Sequence, residues 1–274
     1  MSIPKTIHYL WLSKEKPQNI VNCLNTWKEN LKNYRIIEWN SDSFPYNDFL
    51  FTKEAYSVQK WAFVTDFFRF WVLKKFGGIY LDADIVVNSN FDSFLENKCF
   101  ISSEFAHQLG PHAIGSEPEH PFISKCLDYF DNRHFIIDKI NYDEIPLPII
   151  ITKIFIKMYN YSKKIISFND NPLIFKDITI YNDTYFTINT FNGRNVCFHN
   201  YFASWVEGGQ KFSLSNVAQN YFLKKFLSHD IFNFKKISNI VMLILPMFIT
   251  SIIIRIKLNI KINKEFKKVN IKYL

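Results

Sequence analysis

An α/β fold is the class this sequence predicts, on the order of periodic segments in its first third. Residues 18–34 repeat apolar positions as an amphipathic helix does, and Arg35-Ile36-Ile37-Glu38-Trp39 follows as a short strand. A second, far more apolar helix runs from about Lys60 to Phe76, and across a glycine pair a strand extends from Ile79 to Val87. Helix and strand alternate, which is the signature of α/β architectures.

The second helix carries the first chemical signal. Ala62, Asp66, Arg69 and Leu73 fall on one face, while Phe63, Val64, Phe67, Phe68, Phe70 and Trp71 surround them. A helix apolar nearly all round is expected to be buried. A buried carboxylate or guanidinium costs several kcal/mol unless it is paired or faces a polar ligand. An Asp66–Arg69 ion pair one turn apart is the plain alternative to a ligand contact. Gly77-Gly78 then ends the helix, because glycine accepts the positive φ that a helix terminus needs.

In the strand that follows, the period of two sets Asp82 and Asp84 on one side and Leu81, Ala83 and Ile85 on the other. Alternate strand residues stand roughly 6–7 Å apart, so both carboxylates can reach one hard divalent cation. With fourteen aspartates in 274 residues, chance alone produces about one D-x-D triplet. Here the triplet interrupts an otherwise apolar strand directly after a buried helix, where carboxylates without a ligand are expensive.

These residues resemble a known family. Thr65-Asp66-Phe67-Phe68-Arg69 followed by Gly77-Gly78-Ile79-Tyr80-Leu81-Asp82-Ala83-Asp84 is similar to the signature of the DXD sugar-nucleotide glycosyltransferases of family 32, which the clostridial toxin glucosyltransferase domains share. Two more blocks agree in order and spacing. Ile3-Pro4-Lys5-Thr6-Ile7-His8-Tyr9-Leu10-Trp11 resembles the family's first strand, and His199-Asn200-Tyr201-Phe202-Ala203-Ser204-Trp205 resembles its closing His…Ser-Trp segment.

The resemblance implies a GT-A-like domain around a mostly parallel central sheet, with the donor site at the carboxyl ends of its strands. It implies that Trp11 stacks on the nucleotide base and that Asp66 and Arg69 bind the donor sugar near the diphosphate. Asp82 contacts ribose and the metal shell, Asp84 binds the metal, and His199 is a further metal or diphosphate contact. Ser204 and Trp205 close over the diphosphate from a loop hinged at Gly208-Gly209. The implied cofactor is Mn²⁺ or Mg²⁺, which acts on the leaving diphosphate as Lewis acid and template. Anomeric retention without an obvious protein nucleophile is also implied. The chain departs from the family at His112, where Asn is common, and after Trp11, where Leu12-Ser13-Lys14 replaces the usual glycines.

Composition bounds the rest. At 48% hydrophobic and 18% aromatic residues, 274 residues suffice for one sizeable core. Cys23, Cys99, Cys126 and Cys197 form no C-x-x-C, so neither a zinc site nor a disulfide framework is signalled, and a reducing compartment is expected. The chain opens directly on the first-strand block, and no cleaved signal peptide is expected.

The net charge of +8 has a location: residues 235–274 hold nine Lys/Arg against Glu265 alone, which leaves residues 1–234 neutral. The same tail contains apolar residues from Ile240 to Ile249 and from Ile252 to Ile254. A basic-flanked apolar helix of this kind suits attachment to an anionic membrane. Ile237–Ile254 is 18 residues long, at the short end for a span, and contains Pro246, so a monotopic or re-entrant helix is expected ahead of a single span or a buried helix that closes the core. The expected division is a catalytic domain over 1–234 and a membrane-associating segment over 235–274, at the cytoplasmic face of an inner membrane. A neutral catalytic part with no basic patch predicts no nucleic-acid partner.

These readings converge on a retaining, metal-dependent hexosyltransferase. A nucleotide sugar is the donor, UDP-hexose first and GDP-mannose second, and a glycan or lipid-linked glycan of a bacterial surface polysaccharide is the acceptor. A toxin-like effector that glycosylates a host protein, and a membrane-bound sugar-nucleotide binder without turnover, are the alternatives.

Overall fold

The computed structural model describes residues 2–104, 108–161, 171–189, 195–200 and 202. Its centre is a seven-stranded sheet in the order β2-β1-β3-β6-β5-β8-β7. The strands are β1 (Thr6–Leu10), β2 (Arg35–Trp39), β3 (Gly78–Leu81), β5 (Cys99–Glu104), β6 (Gln108–Ser116), β7 (Leu173–Ile174) and β8 (Thr179–Tyr181). Strands β1, β2, β3, β5 and β8 run one way, and β6 and β7 oppose them. The fold is thus mixed α/β with a mostly parallel sheet. A second, two-stranded sheet pairs β4 (Ile85–Val87) with β9 (Cys197–His199).

Alternation along the strands divides the core in two. In β1, His8 and Leu10 face α2 (Leu50–Ser57), α3 (Trp61–Phe76), α4 (Pro121–Asp128) and α5 (Leu147–Met158), whereas Ile7 and Tyr9 face α1 (Gln18–Asn30) and the small sheet. The first face holds the aromatic group of Phe44, Phe67, Phe68 and Phe70, each almost wholly buried. Burial of one such side chain stabilises by about 1.5–3 kcal/mol. The charged residues that interrupt this surface therefore sit in an expensive environment.

Helix α3 ends as its glycines require. The Gly77 amide closes the last turn on the Leu73 carbonyl at 2.9 Å, and Gly77 and Gly78 take φ of +63° and +95°. A Cβ on Gly78 would lie 2.6 Å from the Thr6 carbonyl oxygen, so close passage of β3 along β1 also demands glycine.

One expectation needs correction. Ile79–Val87 is not one strand: β3 ends at Leu81, and residues 82–84 turn the chain out of the main sheet before β4 joins the other. The Asp82 amide still completes the main sheet on the His112 carbonyl at 2.9 Å, and the Ile85 amide closes the turn on the Asp82 carbonyl at 3.0 Å. Helix α5 lies in a stretch for which the sequence predicts no element. Leu147-Pro148-Ile149-Ile150-Ile151 is β-branched and strand-like in propensity, but proline at the first turn and burial against β6 favour the helix.

Among the described residues no helix is long and apolar enough to cross a membrane. The basic segment 235–274 lies outside the described residues, as do Ser204, Trp205 and the Gly208-Gly209 hinge.

Candidate active site

The turn at residues 82–84 and strand β9 build the centre of the site. Pairing of β4 with β9 sets Ile85 opposite His199, which brings the histidine back across more than a hundred residues to the two aspartates. His199 Nε2 lies 2.9 Å from Asp84 Oδ1 and 3.9 Å from Asp82 Oδ2. One ligand atom from each of Asp82, Asp84 and His199 falls within 4.8 Å of the others. All three side chains are partly exposed, at 21%, 15% and 13%.

The chain holds Asp84 from several sides. Its Oδ2 accepts from the Phe202 amide at 3.0 Å, while its main-chain carbonyl accepts from the Asn200 amide at 3.2 Å and the Asn200 side chain at 3.1 Å. Burial drives the Asp84 carboxyl upward, but the His199 charge and the hydrogen bonds from His199 and the Phe202 amide outweigh it, so its pKa lies below the usual value. Burial likewise disfavours a charged His199, and the Asp84 and Asp82 carboxylates overcome it, so the imidazole titrates above its ordinary range.

Arg69 supplies the fixed positive charge. Its Nη2 donates to Asp66 Oδ1 at 2.7 Å, its Nη1 donates to the Pro111 carbonyl at 2.7 Å, and Nη1 stands 3.5 Å from Asp82 Oδ1. The guanidinium lies 4.8 Å from the centre of the Tyr80 ring, and the Tyr80 hydroxyl donates to Asp82. The ion pair between Asp66 and Arg69 is real, yet Arg69 is more than its partner, because it ties helix α3 to the DXD turn. Asp66 itself is pushed up to about 6, first by burial and then by Asp82, with Arg69 pulling the other way.

His112 is buried rather than open to solvent, at 1% exposure. Its ring stacks on that of His199 with centroids 4.8 Å apart and planes at 18°, and its Nε2 lies 3.0 Å from the Thr187 hydroxyl. Burial, with His199 and Arg69 nearby, keeps it neutral. A break in register produces this placement: Ile101 pairs with Ile114 but Ser102 with Gly110, so Pro111, His112 and Ala113 bulge from β5 toward Arg69 and Asp82.

Trp11 follows β1 with its indole partly exposed. Its Nε1 donates to the Glu15 carbonyl at 3.1 Å, and it packs on the same core as Ala83 of the DXD turn. Sequence reasoning gave no role to Tyr80, Asn200, the Phe202 amide, the Pro111 carbonyl or Thr187. Tyr80, Asn200 and Phe202 stand inside motifs already singled out, and Gly110-Pro111 hints at the bulge, whereas nothing in the sequence marks Thr187.

The donor set fits a divalent cation. Two carboxylates and an imidazole match Mn²⁺, which accepts both oxygen and nitrogen, and the carboxylates alone match Mg²⁺. Asn200 and the Phe202 amide orient Asp84 as outer partners orient ligands in metal sites.

Part of the chain is similar to known proteins. Residues 17–101 match the model of the glycosyltransferase sugar-binding region containing the DXD motif. Inositol phosphoceramide mannosyltransferase 3 of Schizosaccharomyces pombe is 24% identical over 158 residues, covering 53% of this chain and 43% of that protein. Uncharacterized glycosyltransferase L373 of Acanthamoeba polyphaga mimivirus is 33% identical over 152 residues, 49% of this chain and 56% of that one. The chain thus spans about half the length of these curated relatives. Among solved structures, the PaToxG glycosyltransferase superposes with a TM-score of 0.45 at 18% identity, over 58% of this chain and 70% of that one. The region that holds α3, the glycine pair and both aspartates of the turn is thus similar to the glycosyltransferase sugar-binding region containing the DXD motif.

Proposed function

We propose that the protein transfers a hexose from a nucleotide sugar to a carbohydrate acceptor, using a divalent metal held by Asp82, Asp84 and His199. The observation that carries this is the convergence of those three side chains within 4.8 Å beside the buried Asp66–Arg69 pair. When bound, the metal supplies Lewis-acid neutralisation of the charge that develops on the departing diphosphate. Arg69, anchored by Asp66 and the Pro111 carbonyl, sets a permanent positive charge at the edge of the same cluster. Asp66, pushed up to about 6, is mostly ionised at neutral pH, and its carboxylate accepts a hydrogen bond from a sugar hydroxyl. Trp11 offers an aromatic face for the base, and Ser204 and Trp205 cover the diphosphate. Retention of anomeric configuration and a GT-A-like donor domain over 1–234 belong to the same reading.

The name of the fission-yeast relative brings mannose forward beside the UDP-hexoses and agrees with a lipid-borne acceptor. The apolar and basic segment 235–274 suits work at a membrane surface, the cytoplasmic face of an inner membrane, on a lipid-linked surface-glycan precursor.

The test is hydrolysis of UDP-glucose, UDP-galactose, UDP-N-acetylhexosamines and GDP-mannose by the full chain with Mn²⁺ or EDTA. Release of nucleoside diphosphate from one donor, abolished by EDTA, is expected. Release that persists in EDTA refutes the metal role, and failure of every donor both to turn over and to raise the melting temperature refutes the transferase.

A further inference from the structure

A second polar patch stands beside the cluster at the same end of the sheet. In the β5–β6 ladder Ser102 opposes Gly110 and Glu104 opposes Gln108, so all four side-chain positions share one face. That face also carries His112. A Cβ on Gly110 would lie 2.5 Å from His112 Cε1 and 3.2 Å from Glu104 Cβ, so only glycine lets the ring and the Glu104 stem approach this closely. His112 in turn stacks on His199. Strands β3 and β5 run the same way, and Asp82 and Glu104 both stand at their carboxyl ends.

Gln108 is the unexplained member. It is only 6% exposed, and its side-chain nitrogen is buried with no hydrogen-bond partner among the described residues. Buried amide donors are nearly always paired, and one left open at a candidate site points to a ligand that completes it. Glu104, its neighbour across the ladder, is partly exposed, so the patch meets solvent at that end. A carboxylate that only accepts, set beside an amide that donates, complements hydroxyls of one sugar ring, each of which donates one hydrogen bond and accepts another.

We propose that Glu104 and Gln108 bind the hydroxyl groups of a hexose held against the Asp82–Asp84–His199 cluster, and thereby select which hexose is used. This assignment rests on the reading of the protein as a nucleotide-sugar transferase. The hexose is either the one donated or the acceptor sugar, and both offer the same chemistry.

Two full-length variants test it, Gln108→Leu and Glu104→Gln. Gln108→Leu removes a buried donor that lacks a partner among the described residues, so the variant should melt at or above the wild-type temperature. Binding of UDP and GDP in Mn²⁺ should stay within about twofold of wild type for both variants, because neither residue belongs to the Asp82–Asp84–His199 cluster proposed to hold the metal. Turnover should fall at least about tenfold, a loss typical of a missing hydrogen bond to a charged or buried partner. A fall in hydrolysis of UDP-glucose, UDP-galactose or GDP-mannose without acceptor assigns the patch to the donor hexose. Intact hydrolysis with reduced transfer to methyl α-mannoside or methyl α-glucoside assigns it to the acceptor. Diphosphate binding with unchanged turnover in both variants would overturn the assignment alone. Absence of diphosphate binding in the wild-type chain would overturn the transferase reading and this assignment with it.

Discussion

His199 Nε2 and Asp84 Oδ1 are 2.9 Å apart, so two of the three prospective metal ligands form an ion pair with one another. A cation that binds here must take over both partners, and its affinity reports directly on this pair.

Asp84→Asn is therefore expected to weaken Mn²⁺ binding more than about tenfold, read by electron paramagnetic resonance of free Mn²⁺. The fold should survive, since Asn200 holds the Asp84 main-chain carbonyl, which the substitution keeps. Unchanged Mn²⁺ affinity in a folded variant would remove Asp84 from the metal site.

Arg69 bears on stability more than on metal affinity. It is 4% exposed and lies against two carboxylates and a carbonyl. Arg69→Met leaves Asp66 and Asp82 without that cation, a loss expected to cost about 3–5 kcal/mol in urea unfolding. Asp66→Asn should cost less, because the Asp66 carboxyl already titrates near 6 and Arg69 keeps Pro111 and Asp82 as partners. Equal losses in the two variants would mean that Arg69 does no more than pair with Asp66.

How far the site is legible in the sequence follows from which of its contacts are local. The Asp66–Arg69 spacing and the glycine stop are short-range and stand where periodicity sets them, whereas the D-x-D triplet is marked by its residues but lies in a turn rather than a strand. The turn at residues 82–84 is not: the alternation of Ile79–Val87 fits one strand, and only the pairing of β4 with β9 rather than with the main sheet bends it. The approach of His112 to His199 depends on a bulge fixed by the β5 register, which no property of β6 alone encodes. Helix α5 was hidden by its isoleucines, whose strand propensity is overridden by packing on β6.

Gly78 offers a test of the backbone frame. At φ +95°, with an added Cβ 2.6 Å from the Thr6 carbonyl oxygen, Gly78→Ala combines backbone strain with a clash against main chain that has no room to move. A loss of at least about 2 kcal/mol in denaturant unfolding is expected. A loss below about 0.5 kcal/mol, the size of a neutral surface change, would show that β1 and β3 shift apart readily.

His8 makes folding sensitive to acid. Its Nδ1 accepts from Trp39 Nε1 at 3.2 Å, and its Nε2 faces the Gly77 carbonyl at 3.1 Å, an arrangement that fixes the tautomer protonated on Nε2. Protonation of Nδ1 would turn an acceptor against the indole N–H. Burial accordingly lowers the His8 pKa to about 4, with the Gly77 carbonyl opposing the shift and Arg35 adding to it. Between about 4 and the ordinary value of 6.5 the unfolded chain carries the extra proton, so the stabilisation is complete above 6.5 and is lost as pH falls through 4. The loss is about 3 kcal/mol for this residue. His112 and His120 are depressed as well and steepen the same profile. His8→Gln should remove one proton from the slope, about 1.4 kcal/mol per pH unit, when urea unfolding is followed by tryptophan fluorescence from pH 6.5 to 4. Parallel slopes for wild type and His8→Gln would show that His8 is protonated within the folded chain, and the Trp39 contact would then have to break before unfolding begins.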